Sequence, residues 1–118
     1  LLGERYSIEL GMQFGEPSVY SAMKRFRQTG VDRIVVVPMF PQYASSTTGS
    51  AVEIVYKEAA KLYSTPYLHI IPAFYDHPAY IASYAEVIGR EIGPRCSKYD
   101  HLLMSFHGVP QDHCTKTD

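Results

Sequence analysis

Four apolar runs alternate with three amphipathic stretches along this chain, and their spacing predicts the element each forms. Tyr6, Ile8, Leu10 and Met12 alternate with Ser7, Glu9 and Gly11, the two-residue period of a half-buried strand over 6–12. The stretch 33–39 holds the unbroken run Ile34-Val35-Val36-Val37. β-branched residues in succession mean burial on both faces, as in a parallel strand. Two more strands are predicted over 68–74, around Ile70 and Ile71, and over 101–106, around Leu102-Leu103-Met104. The first helix carries Val19, Ala22, Met23 and Phe26 on one stripe, with Pro17 in its first turn and Gly30 at its stop. The second starts at Ser50, where Glu53 three residues on completes a capping-box pattern, and it buries Val52, Val55, Ala59 and Leu62. The third follows Asp76 and Pro78, presents Ile81, Tyr84, Ala85, Ile88 and Ile92, and ends at Gly93-Pro94.

The resulting order, βαβαβαβ with short connections, predicts an α/β fold. We expect one α/β unit over 1–118, with a mostly parallel sheet, right-handed crossovers and helices on both faces. Ligands of such sheets sit outside the carboxyl ends of the strands, which singles out the loops 13–16, 41–49, 75–77 and 107–114.

Composition changes this picture little. The chain's 118 residues are enough for one core, and 46% apolar with 19% charged is ordinary globular usage. A formal net charge of -1 offers no basic surplus for nucleic acid. No apolar run approaches the ~20 residues of a membrane span, and no signal peptide is read at the start. Cys96 and Cys114 make no disulfide framework, which argues for a reducing compartment and a cytoplasmic location. Neither end reads as finished, so we expect a piece of a longer protein.

Candidate chemistry concentrates in two loops. His107 closes the apolar run through Ser105-Phe106 and is followed by Gly108 and Pro110. A strand end fixes the ring, the glycine lets the chain turn away, and imidazole is the side chain suited to taking a proton or binding a metal near neutral pH. A histidine that only ends a strand is the competing reading. The loop 41–50 runs Pro41-Gln42-Tyr43-Ala44-Ser45-Ser46-Thr47-Thr48-Gly49-Ser50 into a helix N-terminus. Hydroxyls, free N–H groups and the helix dipole there favour a carboxylate or phosphate. Simple capping by Ser50 explains the same residues. It is neither a Walker loop nor GxGxxG. His69 and His101 start strands at the far edge, His77 is placed to cap the third helix or touch a ligand, and the neighbours His113 and Cys114 form no zinc pattern.

Pro41-Gln42-Tyr43 with the hydroxyls through Ser50, followed by Ser105-Phe106-His107-Gly108-Val109-Pro110, resembles the ferrochelatase family. Val109 stands where many bacterial members have Leu. Gly11-Met12-Gln13-Phe14-Gly15 resembles the family's Gly-Met-Arg-Tyr-Gly, with Gln13 for Arg and Phe14 for Tyr, which removes a cationic contact to a propionate at that position. The resemblance covers nearly the whole chain. It implies a chelatase-like, Rossmann-like lobe of a two-lobe enzyme, spanning part of the first lobe and the crossover toward the second.

The resemblance also implies insertion of Fe2+ into a porphyrin, protoporphyrin IX or coproporphyrin III, in haem biosynthesis. His107 would be proton acceptor, metal ligand or both, and Gln13, Tyr43, Ser46, Thr47 and Ser105 would line the porphyrin pocket. The family's acidic partner of the histidine, a glutamate in the second lobe, has no counterpart in this sequence. Some family members carry a 2Fe–2S cluster, for which Cys114 would be one ligand. The resemblance leaves peripheral membrane association and oligomeric state open. Competing readings are another tetrapyrrole chelatase, a non-catalytic porphyrin-binding module, and a phosphosugar- or nucleotide-binding domain.

Overall fold

The computed structural model describes residues 5–117. Its fold is α/β: helix α1 (Val19–Gln28), strand β1 (Arg33–Val36), helix α2 (Ser50–Ala60), strand β2 (Tyr67–Ile70) and helix α3 (Pro78–Ile92) follow in that order. β1 and β2 pair in parallel, with Arg33 opposite Tyr67, Ile34 opposite Leu68, Val35 opposite His69 and Val36 opposite Ile70. The ladder continues at both ends, where Tyr67 N donates to Asp32 O at 2.7 Å and Ile71 N to Val36 O at 2.9 Å. Both strands start near their predicted positions and end three or four residues early, where Pro38 and Pro72 remove ladder donors.

α1 shows how closely local sequence can specify an element. Its apolar stripe sets the buried face, and Arg25 and Arg27 in the last turn suit the helix dipole. The predicted stop at Gly30 holds. Gly30 adopts φ +69°, its N–H bonds Arg27 O, and Val31 N–H bonds Phe26 O, the paired bonds of a Schellman motif. The start differs from expectation. Ser18 is the N-cap and its Oγ accepts from Ser21 N at 3.2 Å, so Pro17 lies outside the helix and not in its first turn.

The capping box predicted at α2 does not form. Residues Ser45–Gly49 make a π-helical turn that runs directly into α2, and Gly49 is already helical at φ -57°, ψ -51°. The first N–H groups of α2 therefore have carbonyl partners in the turn, and Ser50 N–H bonds Ser45 O and Thr47 O. With no orphan donor to satisfy, Ser50 Oγ is free for another contact, and Glu53 pairs with Lys57 instead at 2.6 Å.

The core lies between α1, α2 and one face of the sheet. Val19, Met23, Ile34, Val55 and Ala59 form its centre, with Phe26, Val31, Val36, Ile54, Leu62 and Leu68 packed around them. Ala59 is only 1% exposed, its small side chain letting α2 lie close. The opposite face is open: Val35, between two core residues in sequence, is 54% exposed. α3 carries the predicted apolar stripe but has no buried residue, and Ala79, Tyr80 and Ser83 border a groove shared with Val37 and Ile71. Helices on both faces are thus realised fully on one side and partly on the other.

Two predicted strands are absent among the described residues. The 6–12 stretch is held by Glu9 to Arg25 at 2.6 Å and by a single bridge from Met12 to Ser18, without a ladder. The 101–106 stretch has no regular structure, and Leu102, Leu103 and Met104 are exposed. A run apolar on both faces is stable as a strand only when an edge pairs with it and helices cover both sides. This chain covers one face of two strands. Its Cα radius of gyration, 18.3 Å, exceeds the ~13 Å of a compact domain this long. The described residues from Tyr99 on are nearly all exposed and none joins the core.

Candidate active site

The structure brings together the two amino-terminal segments that the sequence nominated. Gln13 Nε2 donates to Ser50 Oγ at 2.6 Å, across 37 positions of sequence, with both side chains half-buried. The 11–16 segment reaches this point because Gly11 lies against α1, where an added Cβ would come within 3.1 Å of Val19 Cα. On the other side, the Tyr43 hydroxyl lies 3.1 Å from where a Cβ on Gly49 would stand, so glycine makes room for the ring. Thr47 Oγ1 donates to Ala44 O at 3.2 Å, and Ser46 is exposed on the same turn. Pro41 O accepts from Phe74 N at 2.9 Å, which ties the loop to the segment following β2. Gln13, Tyr43, Ser46 and Thr47 therefore cluster beyond the carboxyl end of β1, where ligands of parallel sheets bind. Ser50 belongs to this cluster as well. The sequence offered it as a cap or as one hydroxyl of the 41–50 loop, and a contact 37 residues away leaves no local signal.

Thr48, in the same turn, is buried at 8% exposure and its Oγ1 has no hydrogen-bond partner. A buried hydroxyl without a partner carries its desolvation cost uncompensated. Thr48→Val, which swaps the hydroxyl for a methyl of the same shape, is expected to be neutral or to stabilise by about 1 kcal/mol. Urea denaturation at constant m-value measures this, and a loss of stability would show that the hydroxyl is bonded.

Ser105 and His107 are not joined to that cluster: among the described residues no hydrogen bond or ion pair links them to Gln13, Tyr43, Ser46 or Thr47. Both lie on the exposed 101–110 stretch, so His107 is not presented by a strand here. Phe106 beside it is 80% exposed. His107 Nδ1 contacts the carbonyl of the next residue, Gly108 O. With Nδ1 protonated, a neutral imidazole would keep the Nε2 lone pair for a proton or a metal ion.

An apolar groove of about 390 Å³ opens between the sheet's open face and α3, lined by Val37, Ile71, Phe74, His77, Ala79, Tyr80 and Ser83. His77 caps α3, its Nδ1 accepting from Ala79 N at 3.2 Å, so the capping alternative of the sequence reading holds. Phe74 and Tyr80 meet edge to face at 5.6 Å, and Tyr80 and Tyr84 stack tilted at 4.9 Å. A hydrogen bond with Tyr84, with burial adding to it, holds the Tyr80 phenol above its ordinary pKa. Tyr84 lies on the apolar stripe predicted for α3, whereas Phe74 and Tyr80 were not expected at a site. His69 and His101 are exposed.

No three His, Cys, Asp or Glu side chains among the described residues come together to hold a metal ion. Cys114 is an exposed free thiol. No helix among them is long and apolar enough to cross a membrane.

The family profile described as Ferrochelatase matches residues 1–118, and the chain belongs to the ferrochelatase family. Among its curated relatives, a ferrochelatase of Bdellovibrio bacteriovorus is 39% identical over 115 residues, covering 98% of this chain and 34% of the relative. Ferrochelatase 2 of Shewanella oneidensis is 38% identical over 109 residues, covering 92% and 33%. A ferrochelatase of Vibrio cholerae serotype O1 is 37% identical over 120 residues, covering 93% and 37%. The chain thus spans about a third of the length of the relatives it matches. No solved structure matches it.

Proposed function

We propose that this chain is part of the first lobe of a two-lobe ferrochelatase, with the crossover toward the second, and that the whole protein inserts ferrous iron into a porphyrin. The observation that carries the reading is the family match along all of residues 1–118. Metal insertion releases two pyrrole protons and needs a flat ring held in a bent form that exposes its nitrogen lone pairs. In our reading His107 accepts one of those protons at Nε2, or passes the iron inward as a ligand, and a glutamate of the other lobe takes part opposite it. Gln13, Tyr43, Ser46 and Thr47 border the porphyrin at the strand-end cluster, and Ser105 does so beside His107. Iron is the substrate metal. A 2Fe–2S cluster forms no part of the proposal.

The test is optical. The full-length protein, given ferrous iron and protoporphyrin IX or coproporphyrin III without oxygen, is expected to quench free-porphyrin fluorescence and build metalloporphyrin absorbance. Binding without conversion would make it a porphyrin-binding module instead. The 118-residue chain alone is expected to form no metalloporphyrin, since His107 stands apart from the cluster that would hold the ring. Turnover by the isolated chain would contradict that division of labour.

A further inference from the structure

We infer that Gln13 is a positioning residue: its amide clasps Ser50 and so holds the Ser45–Gly49 turn and Tyr43 in the form that meets the porphyrin. The inference rests on the porphyrin reading above and adds to it a role for a residue at which this chain departs from the family pattern. The 2.6 Å bond joins half-buried side chains from two segments that are remote in sequence. α2 has no side-chain cap, because its N-cap is Gly49 and the Ser50 hydroxyl turns to Gln13 instead. The turn is closed by its own backbone bonds and by Thr47 Oγ1 to Ala44 O, and the Gln13 contact adds a long-range tie where a side-chain cap would stand. Tyr43 depends on the same geometry, since its hydroxyl sits in the space left by Gly49. A neutral amide already donating to Ser50 is poorly suited to attract a carboxylate by charge. It is well suited to fixing a neighbour's hydroxyl, because Ser50 accepts through Oγ and keeps its own proton to donate.

The experiment uses the full-length protein with Gln13→Ala, Gln13→Glu, Ser50→Ala and the Gln13→Ala/Ser50→Ala double variant. It reads porphyrin KM and kcat for iron insertion, and hydrogen exchange over 44–50. Gln13→Ala and Ser50→Ala are each expected to raise KM about tenfold, the scale of one lost side-chain hydrogen bond, with kcat changed far less. The double variant should be no worse than either single one, because both remove one contact. Gln13→Glu should restore KM to within about twofold, since a carboxylate accepts the Ser50 O–H and the clasp re-forms with donor and acceptor exchanged. If Gln13 instead touched a porphyrin carboxylate directly, Gln13→Glu would bind worse than Gln13→Ala, and the clasp would be overturned. Additive KM effects would overturn it too. Amides over 44–50 should exchange about tenfold faster in the alanine variants, with the α1–α2 core unchanged, and equal exchange would refute the clasp whatever the activity. A wild-type protein that forms no metalloporphyrin would remove the functional reading alone, because exchange would still decide the clasp.

Discussion

His107→Ala in the full-length protein is expected to lower iron insertion by about 10²- to 10⁴-fold while porphyrin still binds. That range is what a positioned general acid or base contributes to proton transfer. The expectation follows from the role proposed for the His107 imidazole as proton acceptor or metal ligand. The porphyrin-facing candidates Gln13, Tyr43, Ser46 and Thr47 lie in a different segment, so removing the imidazole leaves the ring's holding surface in place. Binding is followed by porphyrin fluorescence in the absence of iron, and turnover by metalloporphyrin absorbance. A variant that inserts iron at the wild-type rate would strip His107 of its role, and one that loses porphyrin affinity as well would make it a binding residue.

The second large effect concerns the core. Ile34→Ala is expected to cost about 2–5 kcal/mol, the usual penalty for emptying a buried aliphatic site. Against a domain stability on the order of 5–15 kcal/mol, this leaves little in reserve. The core is small and one-sided, and Ile34 sits at its centre beneath both α1 and α2. Val35→Ala is the control: on the open face of the same strand it is expected to cost less than about 1 kcal/mol. Urea denaturation of the 118-residue chain measures both. Equal losses would mean that both faces of β1 are covered in solution.

Exposed ion pairs add little to this balance. Glu86 and Arg90 meet at 2.7 Å on the surface of α3, an i,i+4 pair worth a few tenths of a kcal/mol. α3 therefore persists on its own periodicity and the His77 cap more than on packing. Its apolar stripe, Ile81, Tyr84 and Ile88, reads clearly in sequence and remains largely uncovered in the fold.

Local periodicity by itself determined the three helices, the two central strands, the Gly30 stop and the α/β class. These depend on contacts within a few residues, or on a burial demand that one segment states alone. The motif residues were equally legible, since Pro41-Gln42-Tyr43 and Ser105-Phe106-His107-Gly108 are read directly from the chain. What pairs with what was decided only in three dimensions. The stretch 101–106 states a demand for burial, but a strand is made by its neighbour's edge and by the helices above and below it, and the sequence of one strand names neither. Ser50 looked like a cap because its local context suits one, and the π-helical turn ahead of it removed the need. Gln13 then took the freed hydroxyl across 37 residues, a bond that comes from the packing of α1 against α2 and that no window along the chain contains.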